Sequence, residues 1–279
     1  MKKAISIWSF SNKTIREAID ISKLAGYDGI EPALDETGEI GLETNEKDLS
    51  AIKKYAKDKG IEIKSLATGL YWTYSLTSGD KDKRRKAYEI AKKQIYTAAI
   101  LGADTVLIVP GAVGVDFIPG CETVEYDTAY ERSLEAFMSL KEKAEEFRVN
   151  IGIENVWNKF LLSPLEMRDF VDKIDSPYAG VYFDVGNVLY SGYPQHWIKI
   201  LDKRIKKVHF KDYKREAGGL HGFVDLLSGD VDWPEVMKAF EETGYDDWVT
   251  AEMLPPYTHY PEQIVYNTSA AMDRILGRC

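Results

Sequence analysis

The sequence predicts an α/β protein, a single (β/α)8 barrel spanning residues 1–279. Two observations point there. Strand-sized apolar runs alternate with helical stretches eight times along the 279 residues, and strands separated by helices build βαβ units with a parallel sheet. Both the count and the length match a closed barrel. Four of the later runs also end in a residue able to ligate a metal. Val149 to Ile153 leads into Glu154, Val181-Tyr182-Phe183 into Asp184, Ile205 to Val208 into His209, and Trp248 to Ala251 into Glu252. In such sheets chemistry gathers at the carboxyl ends of the strands. A doubly wound open sheet is the alternative. It would carry a glycine-rich phosphate turn after the first strand, where Trp8-Ser9-Phe10-Ser11 stands instead.

Taken in order, Ala4 to Trp8 reads as the first strand. Thr14 to Ala25 reads as a helix from the spacing of Ile15, Ala18, Ile19 and Leu24, with Gly26 as its stop. Gly29-Ile30-Glu31 is the second strand, ended by Pro32. A helix over Glu46 to Lys59 closes at Gly60, and Ile61 to Ala67 is the third strand. After a polar, aromatic loop, Lys81 to Leu101 is a long helix closed by Gly102. Thr105 to Val109 is the fourth strand, stopped by Pro110-Gly111. The loop from Ala112 to Val124 has the length of a functional lid. Asp127 caps a helix running to Phe147, and the fifth strand ends at Glu154. Ser163, Pro164 and Glu166 open the next helix in a capping arrangement. The sixth strand ends at Asp184, a short helix covers Gln195 to Leu201, and the seventh strand ends at His209. A long loop follows from Lys211 to Asp230. Asp232-Trp233-Pro234-Glu235 opens a helix that Gly244 closes. The eighth strand ends at Glu252, and Tyr260 to Leu276 is the last helix.

With 44% hydrophobic and 29% charged residues the chain can bury a sizeable core. A formal net charge of −9 argues against nucleic acid as a partner. No apolar run is long enough to cross a membrane, and the stretch after Met1-Lys2-Lys3 reads as a strand, not a signal peptide. Two cysteines, Cys121 and Cys279, form no disulfide framework and fit a reducing cytoplasm.

Glu154, Asp184, His209 and Glu252 end four consecutive strands, so they share one rim. Three carboxylates there repel one another unless a cation or protons sit among them. With one imidazole and no thiolate, the set suits one divalent metal ion. Mn²⁺ comes first, with Mg²⁺, Co²⁺ or Zn²⁺ as alternatives. Taken singly, each residue has a plainer reading, as a helix cap, a lysine partner or a hydrogen-bonded rim histidine. Glu154 and Glu252 lie three strands apart and would flank a ligand from opposite sides. One could take a proton from a carbon beside a carbonyl while the other returns one, the metal stabilising the enediolate between. Transfer on two faces inverts a stereocentre; transfer on one face isomerises an aldose and a ketose.

The stretches Gly152-Ile153-Glu154-Asn155, Phe183-Asp184-Val185-Gly186-Asn187, His209-Phe210-Lys211-Asp212, Gly229-Asp230-Val231-Asp232-Trp233 and Trp248 to Glu252 resemble the xylose isomerase-like barrel superfamily. Within it they are most similar to sugar-phosphate isomerases/epimerases and ketose 3-epimerases. The resemblance implies that the four residues bind one metal and that the two glutamates are the acid/base pair. It also implies that Arg215 contacts substrate, and that the chain assembles as a homo-oligomer. Two positions depart from the 3-epimerase pattern: Asn187 stands for a histidine and Phe160 for a glutamate. These departures turn the expectation from free ketohexoses towards another sugar, a sugar phosphate or a cyclitol. An inosose-type dehydratase and a catalytically silent sugar-binding barrel are the alternatives. The apurinic endonucleases of the same fold carry several zinc ions and many more histidines than the four here.

Around the rim, Glu31 could bind a sugar hydroxyl or pair with a lysine. Lys211 and Arg215, and less so Lys159, could hold a phosphate. Asn187 is a further substrate-binding candidate. Trp8, with Tyr71, Trp72 and Trp157, could face a sugar ring or simply fill the rim.

Overall fold

The computed structural model describes residues 1–278; Cys279 lies outside the described residues, so the expectation of no disulfide is examined only at Cys121, which is a free thiol. The strands are β1 (Lys2–Ser6), β2 (Gly29–Glu31), β3 (Ala33–Leu34), β4 (Glu62–Ile63), β5 (Ser65–Thr68), β6 (Thr105–Ile108), β7 (Asn150–Glu154), β8 (Ala179–Asp184), β9 (Ile205–Phe210), β10 (Asp212–Tyr213), β11 (Phe223–Val224) and β12 (Trp248–Ala251). The helices are α1 (Ile15–Leu24), α2 (Glu46–Asp58), α3 (Lys81–Leu101), α4 (Tyr126–Phe147), α5 (Pro164–Ile174), α6 (Val185–Leu189), α7 (Pro194–Leu201), α8 (Trp233–Thr243) and α9 (Gln263–Ile275).

Ten of the strands form one parallel sheet in the order β3-β5-β6-β7-β8-β9-β12-β1-β2-β4. Pro32 separates β2 from β3 and Lys64 separates β4 from β5. Because β2 pairs with β4 and β3 with β5, the two ends of that order meet and the ring closes. The fold is therefore the predicted barrel of eight staves, two of them broken, and the open-sheet alternative falls. Proline explains one break: it lacks the N–H that a ladder position must donate.

The barrel strands read as nearly unbroken apolar runs because helices cover one face while the opposite face fills the barrel. All six residues of β8 are buried. Local chemistry sets the helix starts. Thr14 and Glu17 cap α1 reciprocally, and Ser163 accepts from the Glu166 N–H at 3.2 Å with Pro164 in the first turn.

Several boundaries differ from expectation. The first strand ends at Ser6, and Trp8 lies in a 3₁₀ turn whose Phe10 N–H returns to the Ile7 carbonyl. Asp127 is not the cap of α4. Glu125 holds that position without a side-chain bond, and the Asp127 carboxylate bonds the neighbouring Thr128 N–H instead. The short helix α6 and the hairpin β10–β11 went unforeseen. Both are too short to show a hydrophobic period. They follow the strands that carry Asp184 and His209. No helix among the described residues is long and apolar enough to cross a membrane.

Candidate metal centre

The four residues singled out by the sequence converge. Glu154 and Asp184 are the last residues of β7 and β8, His209 lies one from the end of β9, and Glu252 follows β12. Asp184 and His209 are register partners across β8 and β9, and the Glu252 N–H donates to the Phe210 carbonyl at 3.2 Å. All four side chains are buried, and one ligand atom from each lies within 4.8 Å of the others.

Each is held by groups the chain supplies. One Asp184 oxygen, Oδ1, accepts the Asn187 N–H at 2.7 Å, so the carboxylate caps α6 and leaves Oδ2 free. Asn155 ties the strand ends together: its Oδ1 accepts from the Asp184 N–H at 2.9 Å and its Nδ2 donates to the Asp184 carbonyl at 2.9 Å. Asn187 in turn donates to the Asn155 carbonyl at 3.0 Å, and its own carbonyl accepts from Trp157 Nε1 at 3.0 Å. Asp212 braces the loop after β9. Its carboxylate accepts from the N–H groups of Tyr213, Leu227 and Val231 and from Trp233 Nε1. It thus joins two of the stretches noted in the sequence, one starting at His209 and the other at Gly229.

Three polar atoms in the cluster are buried without a hydrogen-bond partner: Asp184 Oδ2, His209 Nδ1 and Glu252 Oε2. Buried polar atoms are normally paired, and here the orphans face one another. His209 Nδ1 is 3.5 Å from Glu252 Oε2 and 3.8 Å from Asp184 Oδ2. Among the described residues the only ammonium in contact is Lys211, 3.2 Å from Asp184 and against Glu252 Oε2. It reaches in over Gly186, where a Cβ would stand 2.5 Å from the Lys211 Cβ. A donor set of three carboxylates and one imidazole with orphaned atoms fits a divalent cation.

Electrostatics agree. Burial pushes Glu154 up to about 8, with Glu252 and Asp184 adding to the rise and Lys211 opposing it. Burial raises Asp184 as well. For Glu252 burial acts the same way, but Lys211 and His209 outweigh it and hold the carboxyl well below the usual range. Burial would depress His209, yet Glu31 and Glu252 on either side hold it well above the usual imidazole value. One glutamate is thus raised and the other lowered, within a single cluster.

The remaining candidates fall in different places. Glu31 departs from the lysine-pairing reading offered by the sequence. It is fully buried, pairs with no lysine, and its oxygens meet His209, Ser65 and Tyr182. Lys211 turns its ammonium onto the cluster, a commitment that competes with holding a phosphate. Arg215 is exposed, donates to the Leu189 carbonyl at 3.1 Å and stacks on Tyr193; none of its contacts is with the four residues. Lys159 pairs with Asp116 at the surface. Phe160 is a core residue, edge-on to Tyr126 and Phe170. Trp8 packs against the core while half-buried. An apolar cavity of about 430 Å³ opens beside the centre, lined by Asn155 and Asn187 and walled by Phe117, Trp157 and Tyr190.

Sequence reasoning missed Asn155, Ser65 and Tyr182. A signal was present for Tyr182. Side chains alternate across a strand, so Tyr182 shares a face with Asp184, as Gly152 does with Glu154 and Thr250 with Glu252. Gly152 leaves room for that ring, since a Cβ there would stand 3.0 Å from the Tyr182 Cβ.

Fold and site together define a closed α/β barrel with a buried carboxylate–imidazole centre. Residues 19–271 match the family of xylose isomerase-like TIM barrels, and the chain belongs to that family. Among its relatives is a protein of Escherichia coli (strain K12) provisionally assigned as L-ribulose-5-phosphate 3-epimerase, 26% identical over 252 residues, covering 85% of this chain and 82% of that one. An inosose dehydratase of Lacticaseibacillus casei is 21% identical over 263 residues, covering 86% and 82%. The solved D-psicose 3-epimerase of Clostridium cellulolyticum H10 superposes with a TM-score of 0.81 at 18% identity over 99% of each chain, a likeness of fold.

Proposed function

We propose that this chain is a single-domain, divalent-metal-dependent epimerase or isomerase of a sugar or sugar phosphate. The observation that carries the reading is the convergence of Glu154, Asp184, His209 and Glu252, with three buried atoms that have no hydrogen-bond partner, two of them facing the Lys211 ammonium. These four residues would hold the ion, Mn²⁺ first among the candidates. When bound, it would supply positive charge beside a substrate carbonyl oxygen and so make the adjacent carbon acidic.

The protein's own groups carry the rest. Glu252, held ionised by Lys211 and His209, takes the proton from the carbon beside the carbonyl. Glu154, across the site from Glu252, delivers a proton that it has taken from solvent. Delivery to the opposite face inverts the centre; delivery to the neighbouring carbon on the same face isomerises. Asn187 and Lys211 are the nearest polar groups for substrate hydroxyls. Trp8 and Arg215 would act from further out. The relatives named as ribulose-phosphate epimerases favour a ketose phosphate. The inosose dehydratase relative favours a second reading, since loss of water from a cyclic ketone starts from the same proton abstraction. Two cysteines in the whole chain suit a cytoplasmic enzyme, and assembly as a homo-oligomer completes the reading.

The test is NMR of a ketose, ketose-phosphate and inosose panel in D₂O with Mn²⁺. Deuterium entering beside a carbonyl, abolished by chelator, is the expected result. The product then separates epimerase, isomerase and dehydratase. Metal-loaded protein that exchanges no proton in any of them sinks the proposal for these substrates.

A further inference from the structure

Below the ligands, the barrel interior holds a second buried polar group that the reaction does not use. Glu31, at the end of β2, crosses the interior to β9, and its Oε1 lies 2.8 Å from His209 Nε2. Its Oε2 accepts from Ser65 Oγ at 2.6 Å and from the Tyr182 hydroxyl. The two hydroxyls are themselves 3.2 Å apart, and Tyr182 also meets the His209 ring edge-on with centroids 4.6 Å apart. Glu31, His209 and Tyr182 are fully buried and Ser65 nearly so.

We propose that Glu31, braced by Ser65 and Tyr182, is a positioning residue that makes His209 Nδ1 the metal-ligating atom. The proposal rests on the metal-centre reading and deepens it.

The reason lies in the donor inventory. A carboxylate only accepts, so the nitrogen facing Glu31 must carry the hydrogen. With a cation bound the imidazole would be neutral, with one N–H. Placing it on Nε2 leaves the lone pair on Nδ1, the atom that faces Asp184 and Glu252 and has no hydrogen-bond partner. Without Glu31, Glu252 Oε2 at 3.5 Å from Nδ1 is the next acceptor. The hydrogen would then favour Nδ1 and mask the ligating lone pair. Ser65 and Tyr182 matter because they occupy Oε2 and so fix the carboxylate's rotation. A carboxylate behind a ligating histidine commonly sets tautomer and ring orientation in this way, and its loss costs about 10–100-fold in metal affinity.

The experiment uses the full chain, stripped of metal, and titrates Mn²⁺ calorimetrically into wild type, E31Q and Y182F. Thermal melts of the same samples serve as fold controls. E31Q is near in volume but presents a weaker acceptor. A fall in Mn²⁺ affinity of about 10–100-fold in E31Q, and a smaller fall in Y182F, is expected. A role confined to packing predicts a lower melting temperature with unchanged affinity, and that result overturns the proposal. If E31Q does not fold, Y182F and a tautomer measurement on the wild type decide. In ¹⁵N-histidine-labelled, Zn²⁺-loaded wild type, Nδ1 should bear the metal shift and Nε2 the proton. Coordination through Nε2 overturns the assignment without any variant. Wild type that binds no divalent ion at all removes the metal centre itself, a failure distinguishable from loss of Glu31's role alone.

Discussion

The two rims of this barrel treat buried charge in opposite ways, and a single strand, β9, takes part in both. At the lower rim Lys207 is almost fully buried, with its ammonium 2.8 Å from Asp104 and 2.6 Å from Asp247. Both carboxylates are nearly half exposed, so the lysine is neutralised while water serves the far side of each acid. Two residues on along the same face, His209 sits among Glu154, Asp184 and Glu252, all buried, with Lys211 as the one ammonium and three orphaned atoms. The lower cluster is complete within the chain. The upper one is not, and a cluster that the chain leaves incomplete is where the proposed cation would act.

Variants sharpen this contrast. The largest effect belongs to the upper rim: E252Q should lower turnover on the substrate found by deuterium exchange by about 10²–10⁴-fold, roughly 3–5 kcal/mol of barrier, with a melting temperature close to wild type. Unchanged turnover would end the acid/base assignment.

At the lower rim K207M should cost about 2 kcal/mol of stability, less than an uncompensated fully buried charge because Asp104 and Asp247 reach water. Its Mn²⁺ affinity should stay within about twofold of wild type. A large affinity loss in K207M would mean that the rims are coupled.

The pH dependence should be smaller again. Glu154 is raised to about 8 in the metal-free chain, so at pH 6 to 7 it holds a proton that a cation must displace. Affinity for Mn²⁺ should therefore rise with pH between 6 and 8, by up to about tenfold per unit for the Glu154 proton, with the proton that His209 holds adding to the slope. Calorimetry in buffers of different ionisation enthalpy counts the protons released. A flat profile from pH 6 to 9 contradicts a raised Glu154.

The smallest change in stability is the most diagnostic. D184N keeps the cap on α6, because asparagine also caps well, and removes a buried carboxylate whose ionised form is disfavoured by burial. The metal-free chain should gain about 1 kcal/mol, or about 2–4 °C, while losing most metal affinity. The matching lower-rim change, D104N, should lose up to about 1 kcal/mol and gain nothing.

Much of the barrel was legible because its staves are apolar runs of fixed length and its helices carry explicit caps, as at Thr14, Ser163 and Asp232. The four candidate ligands were legible because each ends such a run or lies within one residue of its end. Elements too short for a period to show were not: α6, the β10–β11 hairpin and the break at Lys64. Trp8 and Asp127 were misplaced by a few residues because turn geometry and competing caps decide ends locally.

The sequence by itself determined the eightfold alternation, the side of the barrel where chemistry sits, and the carboxylate–imidazole donor set. These follow from strand and helix periods and from side-chain chemistry, both local properties. Only the tertiary structure decided that Glu31 faces His209 and not a lysine, that Lys211 turns inward over Gly186, and that Phe160 belongs to the core. Each joins residues far apart in the chain, Glu31 and His209 by 178 positions. Such pairs are set by the closure of the ring, which brings distant strands face to face across one interior, and no local pattern encodes that distance.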